Sequence, residues 1–184
     1  MNIFILNRDP TLAAQDQCDK HVVKMILESA QMLSTVHRVL DGIETRKPSK
    51  SGKTMVKWWS LPDERDAVLY RPTFVNHPCT IWTRESMHNY EWHYKHFVAL
   101  CNEYTYRYGK THLSETKLIK ILAKLPNNIP RGKMTDFAKA MGAAPQCIKE
   151  DAIESYKLYY HTKQEYMPMV WTKRKQPEWF NASA

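Results

Sequence analysis

Along residues 18–38 an imidazole, an amine and a carboxylate recur at helical spacing as His21, Lys24 and Glu28, followed by Gln31, Thr35 and Arg38. At 100° per residue these side chains fall within one arc of about 100°, whereas Val22, Ile26, Leu33 and Leu40 cluster on another face. A carboxylate beside a lysine and a histidine can take and return a proton, and a partly buried amine can act as a nucleophile. The same stripe also fits an ordinary solvent face, with Lys24 and Glu28 as an i,i+4 pair in the weaker, cation-first order. The catalytic reading makes Glu28 the acid/base or cation-stabilising carboxylate, Lys24 the nucleophile or a phosphate contact, and His21 an orienting group.

A second helical stretch carries Arg84, His88, Glu91, Lys95 and Asn102 on one side and Trp82, Ser86, Asn89, Tyr90, His93, Phe97, Leu100 and Tyr104 on the other. Ser86, Asn89 and His93 must find hydrogen bonds if that face is buried, in an inter-helix network or at a pocket. His93 fits the network better; Asn89 fits the pocket, because an amide can read a base edge. Asn89, Gln31, Asp19, Arg84, Trp82 and His77 are the expected substrate contacts, and Trp58-Trp59 the better candidates for stacking on an extruded base. Ser51-Gly52-Lys53-Thr54 is not a phosphate-binding loop: Lys47 stands where its first glycine belongs. His21, His37, His77 and His112 follow no ligand spacing, so no metal and no cofactor are expected.

The elements that must carry these groups read as helices. The chain has 184 residues, 43% hydrophobic, with only 5 Gly, which excludes disordered and collagen-like classes and suits one domain, 1–184, with its own core. The spacing predicts an all-α, compact single-domain bundle built on two long helices: 10–41 after Asp9-Pro10, and 76–109 ending at Gly109. Shorter helices are expected around 114–124, 135–141 and 149–166, with the aromatic tail 171–180 packing back. The four cysteines show no C-x-x-C pair and read as isolated thiols. No apolar run is long enough to span a bilayer and Met1–Leu6 is too short for a leader, so a cytoplasmic, membrane-free and monomeric protein is expected. The formal charge of +8 favours a polyanion. Much of it lies in a basic loop, 44–57, with Arg46, Lys47, Lys50, Lys53 and Lys57, and in a second stretch, 107–133, opened by Arg107 and Lys110. Together these make DNA the expected partner, held by its phosphates.

The run Leu12-Ala13-Ala14 to Cys18-Asp19-Lys20-His21, with Glu28 nine residues after Asp19, resembles the opening helix of the phage-type pyrimidine-dimer DNA glycosylase/AP lyase family. The resemblance continues through Arg71-Pro72-Thr73-Phe74 and His77 to Tyr106-Arg107-Tyr108-Gly109-Lys110, covering roughly residues 3–110. It implies a compact helical body, Glu28 as the catalytic carboxylate, His21 beside the site and a phage-infected bacterial cytoplasm. In that family an amine at the processed N-terminus is the nucleophile and arginines flank the glutamate. Here Leu27 and Gln31 stand at the flanking positions and Asn2 is too large for ready removal of Met1, so Lys24 or Lys20 is expected to supply the amine. The resemblance also admits a phage DNA hypermodification transferase, joining an amine to a modified pyrimidine. A non-catalytic phage nucleic-acid-binding protein remains the third reading.

Overall fold

The computed structural model describes residues 1–49 and 51–181. Asp9 caps the first helix, α1 (Pro10–Gln15), by accepting from the Thr11 and Leu12 amides, with Pro10 preset for the first turn. The expected single helix 10–41 is interrupted after α1. Gln17 turns inward to donate to the Ile3 carbonyl, Cys18 is extended, and α2 (Asp19–Asp41) restarts from there. The second long helix is interrupted in the same way. Ser86 is extended between α4 (Pro78–Glu85) and α5 (Met87–Tyr108), and its hydroxyl caps α5 by accepting from the Asn89 amide.

The all-α expectation is overturned by one element. The stretch read as a basic loop is a two-stranded antiparallel ribbon, β1 (Ile43–Pro48) and β2 (Met55–Ser60), so the fold is mostly helical with a small sheet. Helical periodicity and a count of lysines hid a second pattern there: β-branched and aromatic residues, Ile43, Thr45, Val56, Trp58 and Trp59, set among charged ones. Pairing runs from Ile43 with Ser60 to Pro48 with Met55, and Gly52, at φ 71°, lies in the connecting turn. Gly42 joins α2 to β1 where a Cβ would come within 2.5 Å of the Arg38 carbonyl.

After α3 (Arg65–Val68), α4 and α5 come α6 (Leu113–Leu122) and α7 (Ala152–His161), with α8 (Glu178–Asn181) near the end. Residues 135–141, expected to be helical, run as an irregular segment whose polar groups are met from elsewhere. Thr135 N donates to Asn89 Oδ1, while the Tyr156 hydroxyl donates to the Ala138 carbonyl and accepts from the Ala140 amide. One continuous core runs from Ile3 to Phe180 through α2, α5 and α7. The tail does pack back: the Trp171 indole donates to the Asp16 carbonyl and Thr172 to the Asp19 carboxylate. No helix among the described residues is long and apolar enough to cross a membrane.

Candidate functional site

The carboxylate of Glu28 lies on the buried side of α2, 8% exposed, and is held on two sides. Its Oε2 accepts from the Asn2 amide at 2.8 Å and lies 3.9 Å from the Met1 α-amine; its Oε1 lies 3.5 Å from Lys24 Nζ. Two amines therefore flank one carboxylate. Lys24 reaches it from solvent, its side chain 65% exposed. His77, the N-cap of α4, completes the corner: burial, and next the nearby Met1 ammonium, lower its pKa.

The N-terminal residues hold this geometry. Asn2 is buried and folds its side chain back, accepting from the Ile3 and Phe4 amides and donating to the Ala140 carbonyl at 2.7 Å. Phe4 takes a left-handed backbone, φ 54°, and stacks on His21 with ring centroids 4.4 Å apart, with Tyr159 and Tyr160 also around its ring. Positive φ in a bulky residue costs about 1–3 kcal/mol and persists only where the surroundings enforce it. Here the enforcement comes from that aromatic cage and from Gln17, which pins the Ile3 carbonyl.

His21 serves this frame. The Tyr160 hydroxyl accepts from the Cys18 amide, which leaves its proton for His21 Nδ1 at 2.8 Å. Burial, followed by the positive charges of Lys24 and Lys163, pushes the imidazole down to about 3, so it is neutral at pH 7. Cys79, also close to Asn2, is no thiolate, since burial raises it to about 11.

The residues expected to join Glu28 separate into distinct places. Asn89 is fully buried; its amide donates to the Trp82 carbonyl and Thr135 Oγ1 and accepts from Thr135 N, a network between α4, α5 and 135. The pocket expected on the Asn89 face is occupied by core: His37 of α2 bonds the Tyr90 hydroxyl of α5 at 2.7 Å, and Trp82 is buried against Trp92 and Phe137. Arg84, half-buried, donates to the Val75 carbonyl. Gln31 is half-buried, its carbonyl accepting from the Thr35 hydroxyl, which also meets the Thr73 backbone. Asp19 binds Arg107 and Thr172; burial opposes its ionisation, but these bonds outweigh it and keep the carboxyl below its ordinary value. Arg38, drawn with the stripe, is buried and clamps segment 59–70.

The basic groups divide similarly. Arg46, Lys47, Lys53 and Lys57 are exposed on the ribbon and Lys110 follows the end of α5; Lys50 lies outside the described residues. Arg107 does not belong to this surface, because it is buried with its guanidinium spent on Glu103, Asp19 and the Gln15 carbonyl. Trp58 sits at the foot of the ribbon under Lys47, Arg38 and Arg71, 4.6–5.8 Å from its ring centre, beside a cleft of about 440 Å³. Larger clefts of about 710 and 740 Å³ are lined by other residues, such as Phe137 and Glu150 in one and Tyr94 and Arg174 in the other.

No family model, curated protein or solved structure matches the chain. Among the described residues no three His, Cys, Asp or Glu side chains gather as a metal site. The arrangement that remains is amine–carboxylate–amine, a buried carboxylate with the exposed Lys24 amine on one side and the Met1 amine on the other. Such a site can form and break bonds to an electrophilic carbon while one carboxylate shuttles the proton. Residue spacing alone pairs Lys24 with Glu28, and the structure brings the two together. Spacing missed Met1, Asn2 and Phe4, whose signal was an apolar run, Ile3 to Leu6, too short for a leader yet fully core in character.

Proposed function

We propose that this protein acts on DNA, excising or modifying a damaged or modified pyrimidine that has been extruded from the duplex, with Glu28 and an adjacent amine as its chemical groups. The observation that carries the reading is the buried Glu28 carboxylate flanked at 3.5 Å by Lys24 Nζ and at 3.9 Å by the Met1 amine. In the excision form, Lys24 Nζ attacks C1′ of the deoxyribose. The N–C1′ bond forms, the C1′–base bond breaks, and its electron pair leaves with the base, which takes a proton from water. Glu28 accepts the proton that the amine sheds and returns it to O4′ as the C1′–O4′ bond opens, leaving an iminium that hydride can reduce. The exposed cations of the ribbon would grip the phosphates on either side of the extruded nucleotide.

The proximity of the Met1 amine favours a second reading of the nucleophile, in which that amine replaces Lys24. Borohydride trapping on duplexes bearing an abasic site or a damaged or hypermodified pyrimidine tests both. A protein–DNA adduct mapping to the peptide that contains Lys24 and lost in Lys24→Ala supports the first; an adduct on the N-terminal peptide that survives Lys24→Ala supports the second. No adduct, together with an amine-dependent mass gain on the DNA, points to group transfer. Binding without any product on these substrates refutes the enzymatic reading and leaves a nucleic-acid-binding protein.

A further inference from the structure

Between β2 and α4 the chain presents Phe74, a large aromatic side chain 61% exposed to solvent. Its backbone is left-handed, φ 48°, a conformation that a bulky residue adopts only at an energetic cost. A loop free to relax would lose the strain, but the surrounding chain is tied down. Thr73 donates its amide to Thr35 Oγ1 at 3.1 Å, and the Thr35 hydroxyl also meets the Thr73 carbonyl. The Phe74 carbonyl accepts from the His77 amide at 2.9 Å, and the Val75 carbonyl from Arg84 at 2.5 Å. Rigid backbone on both sides thus holds an apolar ring outward, where burial contributes nothing.

Its place is informative. Thr35 lies two turns beyond Glu28 on the same face of α2, about 10 Å along the helix axis, so segment 73–77 borders the Glu28 corner. The Phe74 ring packs edge-on to His77, centroids 6.5 Å apart, and His77 is the residue whose titration responds to the Met1 ammonium and to Glu28. Arg71 is exposed three residues earlier, and Lys24 lies 3.5 Å from Glu28.

We propose that Phe74 is a wedge that inserts into the base stack of a DNA duplex, filling the space vacated when a nucleotide is extruded toward Glu28. The proposal rests on the reading of the site as DNA-acting and adds how the extruded state is held. An apolar ring presented without rotational freedom of its loop stacks with little ordering cost, and wedges of this chemistry are how side chains prise base steps apart.

The test uses the full-length protein and a short duplex carrying one tetrahydrofuran abasic site with 2-aminopurine beside it, whose fluorescence rises on unstacking. The native chain and Glu28→Gln should both raise the signal. Phe74→Ala should abolish the rise and weaken binding about tenfold, the scale of one lost base–aromatic stack, while Phe74→Trp keeps both. Circular dichroism should show all variants folded, since the side chain is exposed. An equal rise with Phe74→Ala overturns the wedge while leaving the site reading intact. If the native chain does not bind the duplex at all, the site reading and the wedge fall together.

Discussion

Acidification should unfold this protein well above the pH at which its carboxylates titrate, because four imidazoles are sealed inside it. His21, His37, His93 and His96 are buried. Burial, then Lys24 and Lys163, hold His21 at about 3; burial, then Arg65, holds His37 at about 4; burial holds His96 at about 4. Burial followed by neighbouring His96 also drives His93 well down. Each binds its proton more weakly folded than unfolded, where the ordinary value is near 6.5. The unfolded chain therefore takes up more protons as pH falls below about 6.5, and stability declines with it down to the folded values. At pH 5 each of the three groups with a value has lost about 2 kcal/mol, at roughly 1.4 kcal/mol per pH unit, so together they remove about 6 kcal/mol. That is comparable with the whole stability of a typical domain, about 5–15 kcal/mol. The lowered Asp19, Asp41, Asp63 and Asp66 carboxyls withdraw their own contributions only as pH falls toward and below their ordinary value, 3.8. Urea unfolding followed by tryptophan fluorescence at pH 7, 6 and 5 measures the effect. A midpoint that falls steeply over this window is expected; stability unchanged to within about 1 kcal/mol between pH 7 and 5 refutes the argument that these histidines are neutral when folded.

Other expectations follow from individual contacts. Arg38 donates to Asp66 Oδ1 and to the carbonyls of Trp59, Asp66, Leu69 and Tyr70, so Arg38→Met, which removes the guanidinium from four carbonyls and leaves Asp66 Oδ1 with the Leu61 amide alone, should cost about 3–5 kcal/mol in chemical denaturation. Releasing that clamp also loosens the ribbon that Trp59 anchors. Combining Arg46→Ser, Lys53→Ser and Lys57→Ser should leave stability within about 1 kcal/mol, since these side chains are exposed, while lowering the salt slope of duplex binding by about 2–3. Fluorescence anisotropy across a salt series reads that slope, and an unchanged slope would remove the ribbon from the DNA surface.

The long helices were legible because their apolar residues keep helical spacing and Asp9-Pro10 and Gly109 mark two of the ends. The break at Cys18 is not legible, because Gln17 finds its partner, the Ile3 carbonyl, 14 residues away; Ser86 caps locally, accepting from the Asn89 amide three residues on, a signal masked by the helical spacing that continues across it. The ribbon escapes helical periodicity and net charge, because its strand signal lies in the β-branched and aromatic residues Ile43, Thr45, Val56, Trp58 and Trp59. Of the candidate site, i,i+4 spacing makes the Lys24–Glu28 contact legible, and the structure places the two groups 3.5 Å apart. Residue type does not separate a pocket role from a network role for Asn89: an asparagine on an apolar face satisfies a buried network equally well, and Thr135, its partner, lies 46 residues away. The apolar run Ile3 to Leu6 marks the N-terminal segment as core but not its place beside Glu28, since Asn2 meets Glu28 across 26 residues.

The central claim is that Glu28 carries proton transfer beside an amine. Glu28→Gln keeps an acceptor for the Asn2 amide and removes the charge. On the substrate that yields a borohydride-trapped or amine-bearing product with the native chain, the account predicts that this variant binds DNA within about threefold of native and forms product at least 100-fold more slowly. Product formed at the native rate by Glu28→Gln would contradict it.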